Sequence, residues 1–474
     1  MEEFFLKGRE GDDDQELLVI QDEEEDEDGG SVSNYTLKLS PTTIAIKSEI
    51  FCLAFSGDGR FLLACCGDGI ARVLNPHTGV VMSVLVSERR TNGRTYGKVE
   101  AGGGGGGKTS TGKKSVSSIL DDVALPCTCA AFRPHNKRGE RTNGVAVLGF
   151  SHGEIQLWHV PSAKILHRQA VPPLEANARP QSPDRDGEEK DEGGRAREAR
   201  GSLLQRKQPT SDENKEEDLV KLGIGVEVLC CSFSADGEFF AVGASDGVVR
   251  VYSDSSRELL AELKPGMAQG SGHSSRVFSV KFHPDDSNLI ISGGWGNCVH
   301  VWDIEKATVV RTFFGPHICG DAVCCDGRTI VTGSWRDEAQ LEAWDMNSGK
   351  ASGPPFWCGH GKGALLQQSW GRRCRLYAAA FGGPEESPAK FLAAGGGEGA
   401  NEVKASCSVF DFPDDKRLIG SLLGLSAGAI SLAFEPRGKQ LAVGLANGQA
   451  RAGRILSPCE PDQQASGGKT IMVF

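Results

Sequence analysis

Residues 102–109 of this chain read GGGGGGKT, which fits the GxxxxGK[ST] pattern of a phosphate-binding loop. Such a loop follows a buried strand and opens a helix, so that backbone N–H groups and the helix terminus hold the phosphate. Here the preceding segment, RTYGKVEA, is not an apolar strand, and the following segment, STGKKSVSS, is a poor start for a helix. A run of six glycines meets the pattern through composition alone. We interpret the segment as a linker, and a P-loop nucleotide binder is the alternative that a nucleotide-affinity measurement would test.

The fifteen cysteines could supply metal ligands or disulfides, but their spacing favours neither. No Cys-x-x-Cys pair occurs, and several cysteines are neighbours or alternate within apolar segments: Cys65 and Cys66, Cys127 and Cys129, Cys230 and Cys231, and Cys324 and Cys325. Free cysteines in such segments behave as small buried hydrophobic residues. The sequence therefore predicts no metal site, no cofactor and a reducing compartment.

A short aliphatic segment near the N-terminus, Leu17, Leu18, Val19 and Ile20, is followed at once by the acidic run QDEEEDED. A run of this kind can add as a strand to the edge of a partner's sheet while the acids contact a basic rim. On this ground the segment resembles a SUMO-interaction motif. Four-residue patterns also arise by chance, so an acidic tail with four incidental aliphatic residues is the alternative.

A pattern of about forty residues recurs seven times along the chain. Its clearest copy, 277–313, reads VFSVKFHPDDSNLIISGGWGNCVHVWDIEKATVVRTF, which is four alternating apolar segments separated by turn residues. Period-two alternation between turns predicts four antiparallel strands. The weaker copies span 50–86, 127–169, 228–263, 322–357, 376–423 and 429–474. One such unit cannot bury its faces alone, so the copies must stack.

Gly272-His273 before the clearest copy and Trp302-Asp303 at its third strand form a GH…WD signature. With it, the chain resembles the WD-repeat (WD40) β-propeller family. The resemblance implies an all-β fold, a single seven-bladed propeller of four-stranded antiparallel blades. The WD signature residues are His273, Trp158, Trp302, Asp303, Trp344 and Asp345, and the position of Trp302 is held elsewhere by Leu74, Tyr252, Phe410 and Phe474.

Well-kept repeats of this family join a histidine, a turn aspartate, a Ser/Thr and the tryptophan by hydrogen bonds. The clearest copy has His273, Ser292 and Trp302, but Gly296 stands where the aspartate is expected. Packing of aliphatic strands must then carry the stability of the blades.

The last copy ends at its third strand, the segment TIMVF at 470–474. We expect the N-terminal segment YTLKL, 35–39, to pair with it as the outer strand, because closing the ring removes an exposed sheet edge. The chain then divides into an acidic disordered tail, 1–30, and a propeller, 31–474, with disordered insertions at 88–122, 172–221 and 452–468. These insertions are rich in Gly, Pro and charge and could not bury enough apolar surface to offset the entropy of ordering.

The net charge of −11 comes from the tail, because residues 10–28 contain twelve acids and neither Lys nor Arg. Without them the chain carries 51 acidic residues against 52 basic ones, so the charge argues against nucleic-acid binding as a main role. No signal peptide and no apolar stretch of about 18 residues is recognisable. We expect no membrane insertion and a cytoplasmic or nuclear location.

In propellers of this family, partners commonly bind the face that carries the turn between the second and third strands. The resemblance places the following candidates there: Arg276, Trp295, Trp335, Arg336, Phe314 and His317. Trp and Arg are enriched in binding hot spots. The alternative is that each Trp packs over the turn of its own blade. We expect Arg276 and Arg336 to be exposed.

The sequence thus predicts a non-catalytic scaffold or adaptor that binds a protein or peptide partner on one propeller face, within a multiprotein complex and without a small-molecule cofactor. A nuclear or chromatin-associated adaptor that uses the acidic tail is the main alternative.

Overall fold

The computed structural model describes residues 18–20, 36–39, 42–86, 125–135, 142–172, 226–264, 272–353, 355, 374–383, 390–397, 405–412, 416, 418–438, 440–456 and 472–473. The predicted insertion at 88–122 and almost all of that at 172–221 lie outside these residues, as does residue 474. The described residues form seven sheets, one for each repeat of the sequence, and we number them as blades one to seven in chain order.

Each of the first four blades has four antiparallel strands in sequential order. Their strands are Ile50–Phe55, Leu62–Cys66, Ile70–Leu74 and Val81–Val86 in blade one; Cys127–Phe132, Val145–Phe150, Glu154–His159 and Lys164–Ala170 in blade two; Val228–Phe233, Phe239–Ala244, Val249–Ser253 and Leu259–Leu263 in blade three; and Val277–Phe282, Leu289–Gly294, Cys298–Asp303 and Thr308–Phe314 in blade four. A 3-10 turn at Val160–Ser162 joins the last two strands of blade two.

The remaining three sheets depart from this regular form. Their strands are Val323–Cys325, Thr329–Gly333 and Leu341–Asp345 in blade five; Arg375–Gly382, Phe391–Gly397, Ala405–Asp411 and Leu418–Leu425 in blade six; and Ala429–Phe434, Gln440–Leu445 and Gln449–Leu456 in blade seven. The short strands Leu18–Ile20, Thr36–Leu39, Thr42–Ala45 and Met472–Val473 add to blades six and seven.

The prediction of seven four-stranded blades is wrong, because six of the sheets have four or more strands and blade five has three in the described part of the chain. After Leu341–Asp345 the chain makes an isolated bridge between Trp344 and Ala351. The sequence then continues with Gly353 and two prolines. Proline has no N–H to donate to a strand ladder, which explains why the pattern does not continue as a regular strand there.

Apolar side chains from neighbouring blades meet in separate core clusters around the ring. One of these joins blade seven to blade one, with Ala433 and Ala442 against Ile50 and Leu62. The inner strands are buried on both faces, whereas Lys164–Ala170 at the outside alternates between exposed and partly buried residues. Burial between blades therefore holds the ring together.

A repeated turn sets the register of the first two strands in blades one and three. Ser56 Oγ donates to Asp58 Oδ1 at 2.6 Å and accepts from the N–H of Phe61 at 3.0 Å. Ser234 and Asp236 form the same contact in blade three at 2.6 Å. The following glycine of the blade-one turn, Gly59, has φ of 69°, which favours glycine.

The N-terminal segment does pair with blade seven, but not with the predicted strand. Thr36–Leu39 runs antiparallel to Gln449–Leu456, whereas Met472–Val473 pairs in parallel with Thr42–Ala45. The third strand of blade seven is therefore Gln449–Leu456 rather than 470–474, and it includes the first residues of the insertion predicted at 452–468. Its sequence, QARAGRIL, alternates too weakly to be recognised as a strand.

The predicted disordered tail also contains a strand. Leu18–Ile20 pairs antiparallel with Leu418–Leu425, the outer strand of blade six, with Val19 opposite Leu422. Within the described residues there is no helix long and apolar enough to cross a membrane.

Candidate functional site

One backbone hydrogen bond recurs where the second strand of a blade turns into the third. There, an N–H group donates to the carbonyl of a residue that precedes the first strand, and the donors are Gly67, Ser151, Ser245, Trp295, Trp335 and Ala446. The bond uses the backbone alone, so the fold accepts a small residue at this position, as in four of these blades. The two large aromatic residues lie in the adjacent blades four and five. Their side chains are therefore not required by the turn itself.

Trp295 is 44% exposed and forms part of a stack on blade four. The guanidinium of Arg276 lies over its indole at 5.7 Å, and the ring of Phe278 lies 5.3 Å from it. Arg276 also pairs with Glu227 of blade three, and 38% of its side chain is exposed. Arg276 is therefore half-buried, with its guanidinium held between Glu227 and the Trp295 indole.

Trp335 forms a second stack, with residues that the sequence did not single out. The ring of Tyr377 from blade six lies 4.1 Å from its indole, and the guanidinium of Arg375 lies over the indole at 5.5 Å. Arg375 is held by Asp337, with Nε donating to Oδ1 at 2.9 Å and Nη2 to Oδ2 at 3.1 Å. Arg375 and Tyr377 stand at the start of the first strand of blade six, as Arg276 and Phe278 do in blade four. This shared Arg-x-aromatic pattern is the sequence signal by which Arg375 and Tyr377 could have been found.

Cys319 lies near one residue of each stack. Burial raises the pKa of the Cys319 thiol, while the indole of Trp295 and the positive charge of Arg375, both close to it, oppose the rise. We call the surface formed by Arg276, Trp295, Trp335, Arg375 and Tyr377 the aromatic–arginine patch. It presents aromatic faces and guanidinium groups, which bind ligands rather than react with them.

Arg336 is not the exposed residue that we expected. Its Nη2 donates to Glu342 at 2.5 Å and to the carbonyl of Ala339 at 2.9 Å, and 29% of the side chain is exposed. Burial raises the pKa of Glu342, and the charge of Arg336 opposes this rise. The guanidinium therefore serves blade five internally.

The other two candidates, Phe314 and His317, lie where the chain passes from blade four to blade five. Phe314 is 72% exposed. His317 Nδ1 lies 2.7 Å from Asn297 Oδ1, and the carbonyl of His317 accepts from the N–H of Trp335 at 2.8 Å. Burial, and then the charge of Arg336, lower the pKa of His317.

The signature residues of blade four form a buried network. His273 Nε2 lies 2.7 Å from Ser292 Oγ, which also accepts from Trp302 Nε1 at 2.8 Å. Burial and the neighbouring His300 lower the pKa of His273 to about 3, and burial lowers that of His300 to about 4. Both imidazoles are therefore neutral at neutral pH.

The signature tryptophans of blades two and five also donate a hydrogen bond, but to side chains of other types. Trp158 Nε1 donates to Gln156 Oε1 at 2.8 Å, and Trp344 Nε1 donates to Thr332 Oγ1 at 3.0 Å. Hydrogen bonds from Lys306 lower the pKa of Asp303 to about 2.

The remaining candidates from the sequence are Asp345, the glycine-rich segment and the aliphatic motif. A hydrogen bond from Ser348 lowers the pKa of Asp345. The glycine-rich segment 102–109 and Leu17 of the aliphatic motif lie outside the described residues. Leu18, Val19 and Ile20 form the strand on blade six.

Comparison with known proteins agrees with this architecture. The family model described as "WD domain, G-beta repeat" matches residues 40–75, 224–253 and 267–303, which fall on blades one, three and four. Protein tipD from Dictyostelium discoideum is 26% identical over 129 residues, 27% of this chain and 20% of the relative. WD repeat-containing protein 1 from Gallus gallus is 29% identical over 99 residues, 21% of this chain and 15% of the relative. A guanine nucleotide-binding protein subunit beta from Nicotiana tabacum is 26% identical over 234 residues, 47% of this chain and 56% of the relative. The chain thus spans from about a seventh to just over half of the length of these relatives.

Proposed function

Because the chain belongs to the WD-repeat β-propeller family, we propose that it is a non-catalytic scaffold that binds a protein or peptide partner through the aromatic–arginine patch. The observation that carries this proposal is the turn between the second and third strands. Four blades have Gly, Ser or Ala at the hydrogen-bonding position, whereas the adjacent blades four and five have Trp295 and Trp335. Large aromatic residues that the fold does not require, placed side by side and partly exposed, are typical of a binding hot spot.

The charges around the patch favour a polypeptide over a nucleic acid. Arg276 is paired with Glu227 and Arg375 with Asp337, so each guanidinium is balanced by a carboxylate. A surface of this kind lacks the unbalanced positive charge that phosphate backbones need. Its aromatic centre and charged rim suit a peptide segment with an apolar or aromatic anchor. The similarity to a protein named as a subunit of a guanine nucleotide-binding protein supports a role within a complex.

The test is an affinity capture with the tagged full-length chain, followed by titration of the captured partner against patch variants. We expect Trp295→Ala combined with Arg375→Glu to weaken binding by about 2 kcal/mol or more, close to 30-fold in Kd, because the variant removes the exposed Trp295 indole and the guanidinium that lies over Trp335. The melting temperature should change little for Trp295→Ala alone, since Trp295 is 44% exposed. It should fall more for the double variant, because Arg375 pairs with Asp337 and only 25% of its side chain is exposed.

The matched control is Arg60→Glu. Arg60 in blade one also pairs with an aspartate, Asp58, and also lies over an aromatic ring, that of Phe61 at 5.7 Å. This control should bind the partner like the unmodified chain. Equal affinity of the patch variant and the unmodified chain would contradict the proposal.

A second candidate, an adaptor that uses the acidic tail, is favoured by one observation. Leu18–Ile20 adopts the extended form that pairing with a partner's sheet edge requires. In the structure this strand pairs within the chain, on blade six. Deleting residues 1–30 separates the two candidates, because it removes this strand and leaves the aromatic–arginine patch intact.

A further inference from the structure

Blade four differs from blade three at the turn that leads into the third strand. In blade three, Asp246 accepts a hydrogen bond from Arg250 four residues later, at 2.7 Å, and blade one contains the same Asp–Arg pair. In blade four these two positions are Gly296 and His300. The carboxylate and the guanidinium are both replaced, and an imidazole takes the place of the cation.

In the same blade, one nitrogen of His273 has no hydrogen-bond partner. His273 is 1% exposed, and its Nε2 contacts Ser292 Oγ, but its Nδ1 has no hydrogen-bond partner. A buried polar atom without a partner destabilises the fold, so such an atom calls for an explanation.

Two further metal-ligating side chains lie next to His273. Cys298 Sγ lies 3.2 Å from His300 Nε2, and the rings of His273 and His300 are 4.5 Å apart. One ligand atom from each of His273, Cys298 and His300 lies within 4.8 Å of the others, and all three residues are buried. A tetrahedral zinc site with bonds of about 2.0–2.3 Å separates its ligand atoms by roughly 3.3–3.8 Å, so small rotations of the side chains would complete it.

The outer contacts of both imidazoles suit metal binding. His300 Nδ1 lies 2.9 Å from Thr312 Oγ1, so an N–H there can donate to the hydroxyl, and that tautomer has a lone pair on Nε2. His273 Nε2 can donate to Ser292 in the same way, which leaves a lone pair on Nδ1. Histidines that bind metals usually donate their other N–H to a neighbouring oxygen in this manner.

We propose that His273 Nδ1, Cys298 Sγ and His300 Nε2 bind a Zn²⁺ ion within blade four. One thiolate and two imidazoles are ligands that zinc prefers, and water completes the tetrahedron. The thiol of Cys298 loses its proton when the ion binds, and that proton passes to solvent. The site is new relative to the sequence prediction of no metal, because His273 is 25 residues from Cys298 and no Cys-x-x-Cys spacing marks the site.

The test uses the full-length chain, treated with a chelator and titrated with Co²⁺ and then Zn²⁺. We expect one equivalent of Co²⁺ to give the charge-transfer absorption of a cobalt–thiolate bond, which Zn²⁺ then removes. Cys298→Ser should abolish this absorption, and His300→Gln should weaken Zn²⁺ binding at least tenfold. Cys407→Ser, which changes a buried strand cysteine of blade six, should leave both unchanged.

X-ray absorption spectroscopy of the zinc-loaded, unmodified chain decides the question even where a variant fails to fold. We expect one sulfur and at least two imidazole nitrogens around the ion. A chain that binds no stoichiometric metal, a shell without sulfur or with several sulfurs, or an absorption band that survives Cys298→Ser would overturn the proposal.

Discussion

At the scale of single residues, Trp302 shows how the signature residue holds two blades together. Its side chain is fully buried in a cluster with Val251 and Leu263 of blade three, and its Nε1 donates to Ser292. We predict that Trp302→Ala lowers the free energy of unfolding by about 3–5 kcal/mol, because it leaves a cavity and removes the hydrogen bond to Ser292. Chemical denaturation monitored by circular dichroism measures this loss.

The matched control for this prediction is Trp295→Ala. Trp295 belongs to the same blade but is 44% exposed, so its removal should cost less than about 1 kcal/mol. A loss below about 1 kcal/mol for Trp302→Ala as well would mean that Trp302 does not join blades three and four.

Asp303, next to Trp302, gives a pH-dependent prediction. Its folded-state pKa of about 2 lies below the ordinary value of 3.8, chiefly because Lys306 donates to the carboxylate. A lowered carboxyl pKa adds stability above pH 3.8, and this stability is lost as the pH falls through 2. We predict that Asp303→Asn lowers the melting temperature at pH 7 and that the difference from the unmodified chain shrinks between pH 4 and pH 2. A difference that is constant over this range would contradict the assignment.

At the scale of strands, the N-terminal segment completes blade seven. Thr36–Leu39 pairs along Gln449–Leu456, and Thr42–Ala45 pairs with the start of the same strand. We predict that deleting residues 1–40 destabilises the whole chain, because the deletion exposes the edge of Gln449–Leu456. Thermal unfolding should show a clear decrease in melting temperature relative to a chain without residues 1–30. Equal melting temperatures for the two deletions would show that Thr36–Leu39 does not close the ring.

The sequence predicted the strands of blades one to four well because their pattern is strong locally. Alternating apolar residues and turns such as Ser56-x-Asp58 specify register without distant contacts. Blade seven was misassigned because the alanines and arginines of Gln449–Leu456 give no clear alternation, and its pairing with the N-terminus depends on contacts far apart in sequence. In the site, Trp295 was recognisable from its turn, whereas the contribution of Arg375 depends on the packing of blade six against blade five.

At the scale of the whole molecule, the core depends on contacts between neighbouring blades. The long insertion between blades two and three begins and ends at residues that pack against these blades. Val171 is fully buried and its N–H donates to Gly153, while Val228 begins the next blade in the same cluster. The carbonyl of Pro172 accepts from Arg250 at 3.0 Å. Both ends of the insertion are therefore fixed by blades two and three.

We predict that replacing residues 176–222 by a flexible Gly/Ser linker of about ten residues leaves the fold intact, because such a linker spans up to about 33 Å. The free energy of unfolding should stay the same or rise by about 1 kcal/mol, since a shorter loop costs less closure entropy. Denaturant unfolding measures this change, and binding to the captured partner should be unaltered. A variant with residues 176–222 scrambled at constant length is the control, because it keeps composition and loop length. If the free energy of unfolding falls by more than about 2 kcal/mol in both variants, this insertion forms part of the propeller. If the fold stays intact but partner binding is lost, the binding site lies in the insertion and not in the aromatic–arginine patch.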